Sequence, residues 1–138
     1  MQMRSSRVVL VALVSAAVVG CGESISAPRT VPTSGTVLFK GKPAEGVKVT
    51  LHPKFNMIFT PNGVTGKDGR FILSTGAPVD GAPPGEYSVT FELLRAGADE
   101  RGRDTDIDVW KGKHANPDTA PKVTVGSSAT TLEPFRLD

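Results

Sequence analysis

Apolar and polar residues alternate in short runs from Gly35 to the end of the chain. In the clearest run, Val47, Val49 and Leu51 alternate with polar residues up to Pro53. Alternation with a period of two is the pattern of a β-strand with one buried face. Similar runs are residues 35–40, 71–74, 87–92, 123–125 and 132–137. Residues 33–138 show no convincing helical period, so the pattern predicts an all-β sandwich or barrel.

Glycine, proline and aspartate separate these runs. The segment from Gly66 to Gly69 contains an Asp-Gly pair and lies between a strand that ends near Thr65 and one that begins at Arg70. Asp-Gly supplies the positive φ that a tight hairpin turn requires. Glycine and proline together number 15 + 11 = 26 of the 138 residues, which suits many short strands joined by tight turns.

A different pattern occupies residues 1–20, before the alternation begins. Residues 1–7 carry two arginines, and residues 8–19 are apolar except for Ser15. A helix of that length covers about 18 Å, which is short of the roughly 30 Å hydrocarbon core of a bilayer. A positive start, a short apolar helix and small residues at its end are the parts of a secretory signal. Residues 21–32 contain two prolines and no apolar period, which predicts a flexible tether.

The end of the apolar run, Val18-Val19-Gly20-Cys21, resembles the bacterial lipobox. The resemblance implies cleavage between Gly20 and Cys21, diacylation of the Cys21 sulfur and acylation, as with palmitate, of the new N-terminus. Anchoring becomes stable with two or more acyl chains, because one chain alone binds membranes only marginally. The alternative is an ordinary signal followed by a free thiol, which would be open to oxidation in an exported protein. Gly22, where aspartate would retain such lipoproteins in the inner membrane, favours the outer membrane.

The net charge of the chain falls from +2 to zero when the predicted signal peptide is left out. The formal net charge is +2, and Arg4 and Arg7 are two of the 16 basic residues. Residues 21–138 therefore carry 14 basic and 14 acidic side chains, which gives no indication of nucleic-acid binding. The single cysteine excludes an internal disulfide framework.

Four short motifs carry a family resemblance. They resemble, in order, the turn and strand motifs of the carboxypeptidase regulatory-like (transthyretin-like) domain, and they are Gly35-Thr-Val, Gly41-Lys-Pro-Ala-Glu-Gly-Val, Thr65-Gly-Lys-Asp-Gly-Arg-Phe and Pro84-Gly-Glu-Tyr-Ser-Val. Together with the lipobox and residues 113–125, they resemble small lipoproteins of planctomycete bacteria. The family implies a prealbumin-like or Ig-like antiparallel β-sandwich of about seven strands over residues 33–138. It also implies an accessory role, without catalytic residues or a cofactor of its own.

The enzymatic alternative within this family is hydroxyisourate hydrolase. The resemblance to that enzyme fails at residues 135–138, which read Phe-Arg-Leu-Asp where the hydrolase has Tyr-Arg-Gly-Ser. A GxSxG nucleophile elbow is also missing. A hydrolase of another type would require His52 or His114 to face a carboxylate in a pocket. We expect both histidines to be ordinary surface or strand-end residues, and we predict a non-enzymatic module that binds an envelope protein or glycan.

Two further sets of residues are candidate ligand contacts. Asp104, Asp106 and Asp108 share a period of two, so they form either a charged edge strand or a Ca²⁺ site. The edge strand is favoured because Val109 stands where the Ca²⁺-binding loop needs glycine.

Trp110 and Tyr87 could form a platform on which a sugar stacks, but packing in the core or covering an open sheet edge is favoured, because large aromatic side chains dominate small cores. Exposure of Trp110 or Phe55 would favour a carbohydrate-binding module, and burial of both would exclude it. The run 95–104 mixes charges and small residues, and it predicts a mobile, solvated loop.

Overall fold

The computed structural model describes Gly20, Gly22 and residues 28–138, and this part is built from β-strands without a helix. The ten strands are β1 (Thr33–Phe39), β2 (Lys42–Pro43), β3 (Val47–Pro53), β4 (Asn62–Val64), β5 (Arg70–Ile72), β6 (Gly85–Ala98), β7 (Asp104–Asp108), β8 (Lys122–Val125), β9 (Thr130–Thr131) and β10 (Phe135–Leu137). They form two five-stranded sheets, which confirms the predicted all-β sandwich.

The first sheet is organised around β1. This strand pairs antiparallel with β5 and then with β2, and it pairs parallel with β9 and then with β10. In the second sheet the order is β4-β3-β6-β7, and β8 also pairs with β6. The number of strands exceeds the expected seven because several of them are short segments that follow one another along a longer neighbour. The parallel pairs of β1 are the departure from a purely antiparallel sandwich.

The core is formed by the apolar faces that the alternation predicts. Val47, Val49 and Leu51 of β3 are fully buried, and the polar residues between them are half-buried. Strand β6 departs from this pattern, because Ser88 and Thr90 are buried as well as the residues between them. This strand lies in the middle of its sheet, with β3 on one edge and β8 followed by β7 on the other.

The sandwich has two distinct ends. At the proximal end, residues 28–32 lead into β1, residues 54–61 join β3 to β4, and residues 73–84 join β5 to β6. The bridges between Val31 and Ala82 and between Asn62 and Ser74 hold these segments together. At the distal end, β1 stops at Phe39 and the β6–β7 hairpin extends past the start of β3.

The expectation of a mobile loop over residues 95–104 is wrong. Strand β6 continues to Ala98 and pairs with β7, which leaves residues 99–103 as the tip of a hairpin. Asp99 closes this tip, since its carboxylate accepts hydrogen bonds from the Arg101 and Arg103 backbone and lies 2.6 Å from the Arg103 guanidinium. Hydrogen bonds from the Arg103 backbone and side chain lower the pKa of Asp99.

The N-terminal boundary of the sandwich lies two residues before the predicted one. Val31 is buried in the core and exchanges backbone hydrogen bonds with Ala82, so the sandwich begins at Val31 rather than Thr33. The predicted signal peptide over residues 1–20 and most of the predicted tether lie outside the described residues.

Candidate functional site

A cavity of about 240 Å³ lies in the distal half of the sandwich. Its lining includes Lys113, His114, Asn116, Arg136 and Asp138. The cavity therefore combines charged and amide groups with the edges of buried apolar residues, which is the mixture found in sites that bind polar ligands.

Two separate segments of the chain build this cavity. After β7 the chain turns back along β6, where the His114 and Pro121 carbonyls accept hydrogen bonds from the Phe91 and Val89 N–H groups. The other wall is β10, which lies parallel to the distal half of β1 and carries Arg136 between two buried residues. The cavity forms where these two edges face each other.

Two basic side chains line the cavity, and they differ in whether an acidic group lies next to them. The Lys113 ammonium donates a hydrogen bond of 2.6 Å to the Asp138 carbonyl oxygen and lies 4.0 Å from the Asp138 carboxylate. Arg136 is exposed and forms no ion pair with any residue in the described range 28–138. Among the basic residues that line the cavity, Arg136 is thus the one whose charge has no ionic partner within residues 28–138.

Trp110 stands beside this cavity and is half-buried. Its ring centroid lies 5.3 Å from that of Phe39 and 5.2 Å from that of His114. The Trp110 backbone N–H donates to the Asp108 carboxylate. Trp110 packs against the core and closes the distal end of the sandwich, so part of its ring is engaged in packing.

Tyr87 is a core residue, so it does not form a sugar-stacking platform with Trp110, the alternative that the sequence disfavours. Tyr87 is fully buried at the proximal end of β6, and its hydroxyl donates a hydrogen bond of 2.6 Å to the Pro83 carbonyl oxygen. Burial raises the pKa of Tyr87 to about 12. The alternation that groups Tyr87 with Val89 and Phe91 already places it on the inner face of the sheet.

Phe55 is the aromatic residue that the carbohydrate hypothesis expected at the surface. It is 39% exposed, and its ring meets the Tyr87 ring edge-on with centroids 5.5 Å apart. Phe55 follows β3 at the proximal end, whereas Trp110 packs at the distal end. These two side chains therefore do not form a common stacking surface.

The two histidines have separate environments. The His52 Nε2 atom forms a hydrogen bond of 2.7 Å with the Thr90 hydroxyl on the outer face of the second sheet. The His114 Nε2 atom is buried, and within residues 28–138 it has no hydrogen-bond partner. His114 and Asp138 line the same cavity, but neither histidine forms an ion pair in the part of the chain that the structure covers.

The three aspartates of the run 104–108 lie on β7, which is an edge strand of the second sheet. Asp104 and Asp106 are exposed. Asp108 instead accepts hydrogen bonds from the backbone N–H groups of Leu93, Trp110 and Gly112. Its carboxylate holds the turn that follows β7. The described residues contain no group of three or more histidine, cysteine or acidic side chains arranged to hold a metal ion.

The predicted lipidation residue, Cys21, lies outside the described residues. Its neighbours Gly20 and Gly22 are exposed, and the Gly22 N–H donates a hydrogen bond of 2.9 Å to the Gly20 carbonyl oxygen. Within Gly20, Gly22 and residues 28–138, a helix long and apolar enough to cross a membrane is not found.

Sequence reasoning missed two sets of residues. It did not single out Arg136 and Asn116, which lie far apart in the sequence and meet only in the folded sandwich. It also passed over Ile58 and Phe59, although the run from Phe55 to Phe59 contains four large apolar residues without alternation. Such a run between two predicted strands is the signal that could have marked an exposed apolar loop.

Comparison with known proteins finds only distant structural similarity. No protein-family model matches the sequence, and no curated protein matches it. Solved structures that are similar include a 9R-lipoxygenase from Cyanothece (15% identity, TM-score 0.45, 83% of this chain and 18% of the lipoxygenase). A second is a Pseudomonas aeruginosa protein assigned provisionally to carbohydrate binding (16% identity, TM-score 0.44, 79% of this chain and 89% of that protein). A third is the major pilin subunit of Bacillus cereus (16% identity, TM-score 0.44, 78% of this chain and 29% of the pilin subunit).

This chain spans less than a third of the lipoxygenase and of the pilin subunit. Similarity at this level says nothing about ligand or activity. The class of protein that the fold defines is an all-β sandwich module.

Proposed function

We propose that this chain is an exported lipoprotein whose β-sandwich is held at the cell envelope by lipid on Cys21 and acts there as a non-catalytic binding module. The observation that carries the proposal is that the chain enters the sandwich at one end and the cavity lies toward the other end. The chain enters at the proximal end through Val31, whereas the cavity with Arg136 lies in the distal half. An anchor at Cys21 would then direct the cavity away from the bilayer.

The lining of the cavity favours a polar partner from the envelope. Arg136 supplies an open guanidinium, which suits carboxylate or phosphate groups in planar, bidentate geometry. Asn116 and Thr119 add amide and hydroxyl groups that can bond to sugar hydroxyls. These groups fit an acidic envelope glycan, and a protein that presents a carboxylate is the other candidate. Binding through stacked aromatic rings alone is less well supported, because the aromatic side chains are distributed between the two ends.

The first test concerns the anchor. In the full chain produced in a bacterium with an envelope, Cys21→Ala should either stay unprocessed, with residues 1–20 still attached, or fall at least about tenfold in the membrane pellet, because the acyl chains that supply the affinity are lost. Mass spectrometry of the unaltered protein should find an N-terminal peptide that begins at acylated Cys21. Ser24→Ala, in the same segment, is the control and should remain in the pellet. An unacylated Cys21 in the unaltered protein would refute the anchor.

The second test concerns the cavity. Arg136→Glu should weaken binding of the anchored protein to isolated acidic cell-wall glycan about tenfold, which corresponds to about 1.4 kcal/mol. Arg101→Glu is a matched control, because it makes the same charge change on the exposed tip of the hairpin. The measurement is co-sedimentation of the protein with the glycan at several salt concentrations. Equal weakening by both variants would mean that binding follows net charge rather than the cavity.

A further inference from the structure

Four large apolar side chains are exposed on two neighbouring loops at the proximal end of the sandwich. Ile58 is 73% exposed, Val79 is 64% exposed, and Phe55 and Phe59 are each 39% exposed. We refer to these four residues as the proximal apolar patch. Exposed apolar residues that cluster at one end of a small domain mark a surface that contacts a partner or a membrane.

The register of the strands places the patch at this end. Phe55, Ile58 and Phe59 belong to the loop that joins β3 to β4. The base of this loop is fixed by two backbone hydrogen bonds, from Leu51 to the Pro61 carbonyl and from Lys54 to the Glu86 carbonyl.

Val79 lies on the neighbouring segment, which joins β5 to β6. That segment is tied to the first loop by the Asn62–Ser74 bridge and to the incoming chain by the Val31–Ala82 bridge. The patch and the point where the chain enters the sandwich therefore share one end.

Both loops are held in place by specific contacts. Phe55 packs on the Tyr87 ring, and Met57 packs against the core, so Ile58 and Phe59 are left pointing away from it. In the second loop, the Asp80 carboxylate accepts hydrogen bonds from the N–H groups of residues 75–77. The Val79 N–H donates to the Ser74 hydroxyl. Val79 has a φ of 52°, an unfavourable value for a β-branched residue, which the surrounding loop maintains.

The length of chain before the sandwich determines what lies within reach of the patch. Cys21 and Val31, where the sandwich begins, are separated by 31 − 21 = 10 residues. A chain of that length spans at most about 35 Å when fully extended and about 18 Å on average as a random coil. A lipid on Cys21 would therefore keep the proximal end within a few tens of ångströms of the bilayer surface.

The charges around the patch suit a lipid surface. Lys54 directly precedes the apolar loop, Arg29 is exposed on the incoming chain, and residues 54–67 contain no acidic side chain. The exposed Glu86 lines one pocket with Lys54 and Lys122, so basic side chains outnumber it there. The nearby carboxylate of Asp80 is turned into its own loop. Basic groups next to exposed aromatic and aliphatic side chains are the combination that binds anionic headgroups and the acyl boundary.

We infer that the proximal apolar patch inserts into the headgroup and acyl boundary of the bilayer to which the chain is anchored, so that the sandwich stands on the membrane in one orientation. This inference rests on the proposed function, since lipid on Cys21 brings the bilayer within reach. Acyl chains and the patch would then act as two membrane signals on one end of the molecule. A protein partner on the patch is the competing occupant, and the experiment below distinguishes it.

The test measures how deeply single tryptophans lie in the bilayer. The chain contains one tryptophan, Trp110, at the distal end. Ile58→Trp is introduced together with Trp110→Phe, and the lipidated full chain is reconstituted into phosphatidylethanolamine–phosphatidylglycerol vesicles with brominated acyl chains. The tryptophan at position 58 should lose at least half of its emission compared with unbrominated vesicles. Ile107→Trp in the same background is the matched control, since Ile107 is also an exposed apolar residue but lies on the distal hairpin, and its emission should stay unchanged.

Each outcome decides between the inference and the proposed function. Vesicle flotation together with quenching at position 58 alone supports insertion of the patch. Flotation without quenching at position 58, or with equal quenching at positions 58 and 107, overturns the inference and leaves the lipid anchor intact. A chain that fails to float and carries no acyl group on Cys21 overturns both. Phe59→Trp in the same background provides a second reporter if Ile58→Trp alters the melting temperature.

Discussion

Replacing Gly81 with alanine is expected to destabilise the folded protein by about 2–5 kcal/mol. Gly81 has a φ of +89°, and an added Cβ would overlap the Val31 carbonyl oxygen. The left-handed backbone contributes about 1–2 kcal/mol to the loss, and the steric conflict contributes about 1–3 kcal/mol. The obstructing atoms belong to the backbone, so a rotamer change cannot relieve the overlap. Urea unfolding of the chain measures the change.

Gly102→Ala is the control for this prediction. Gly102 has a similar φ of +75° at the tip of the hairpin, and an added Cβ there would meet no atom within 4 Å. Only the backbone contribution of about 1–2 kcal/mol should therefore appear. Equal losses for the two variants would contradict the close packing of the residue 73–84 segment against Val31. That contact matters for the proposed function because it fixes the end at which the chain enters the sandwich. In the proposal, this is the end that faces the membrane.

The strand pattern could be predicted from the sequence wherever one face of a strand is buried. Val47, Val49 and Leu51 are an example, because polar residues on the other face make the period of two visible. Strand β6 is harder to delimit because residues on both faces of its proximal half are buried, and its last three residues are Ala96-Gly97-Ala98. Small residues carry no alternation. The hairpin there depends on pairing with β7 and on the Ile107 side chain lying over Gly97.

The candidate site was less predictable than the fold. Arg136 appears in the sequence as a routine exposed residue between two strand positions. It becomes part of a cavity because β10 and the segment around His114 occupy facing edges of the two sheets. The proximal apolar patch is likewise made of loop residues, for which periodicity gives no orientation. Local pattern determines which face of a strand is buried, but the meeting of distant edges and loops depends on topology.

Two residues from different sequence motifs, Gly35 and Phe71, form one packing contact in the folded sandwich. Gly35, from the first motif, and Phe71, from the third, are directly opposed across β1 and β5. An added Cβ at Gly35 would overlap the Phe71 ring, so the ring fills the space that a side chain at position 35 would occupy. An aromatic ring covering a strand glycine on the neighbouring strand compensates for the missing side chain. The first and third motifs therefore share one packing contact, in addition to the turn at Gly66–Gly69 in the third.

A double-mutant cycle tests this contact. Phe71→Ala should destabilise the protein by about 3–5 kcal/mol, since the residue is 2% exposed and its ring packs with Phe135. Gly35→Ala should cost about 1–3 kcal/mol because the ring must shift. In the double variant the new methyl group enters the space left by the ring, so the combined loss should fall short of the sum by at least about 1 kcal/mol.

The control cycle pairs Gly35→Ala with Val125→Ala, a buried residue of the second sheet. Independent sites add within about 0.5 kcal/mol, so this cycle should show no coupling. Additivity in the Gly35–Phe71 cycle would mean that the glycine is required for the backbone of β1 alone. Coupling confined to that cycle would instead identify the ring as the reason for the glycine. The motif would then reflect side-chain packing in the sandwich and not ligand binding. The residues that carry the function would lie at the two ends of the molecule.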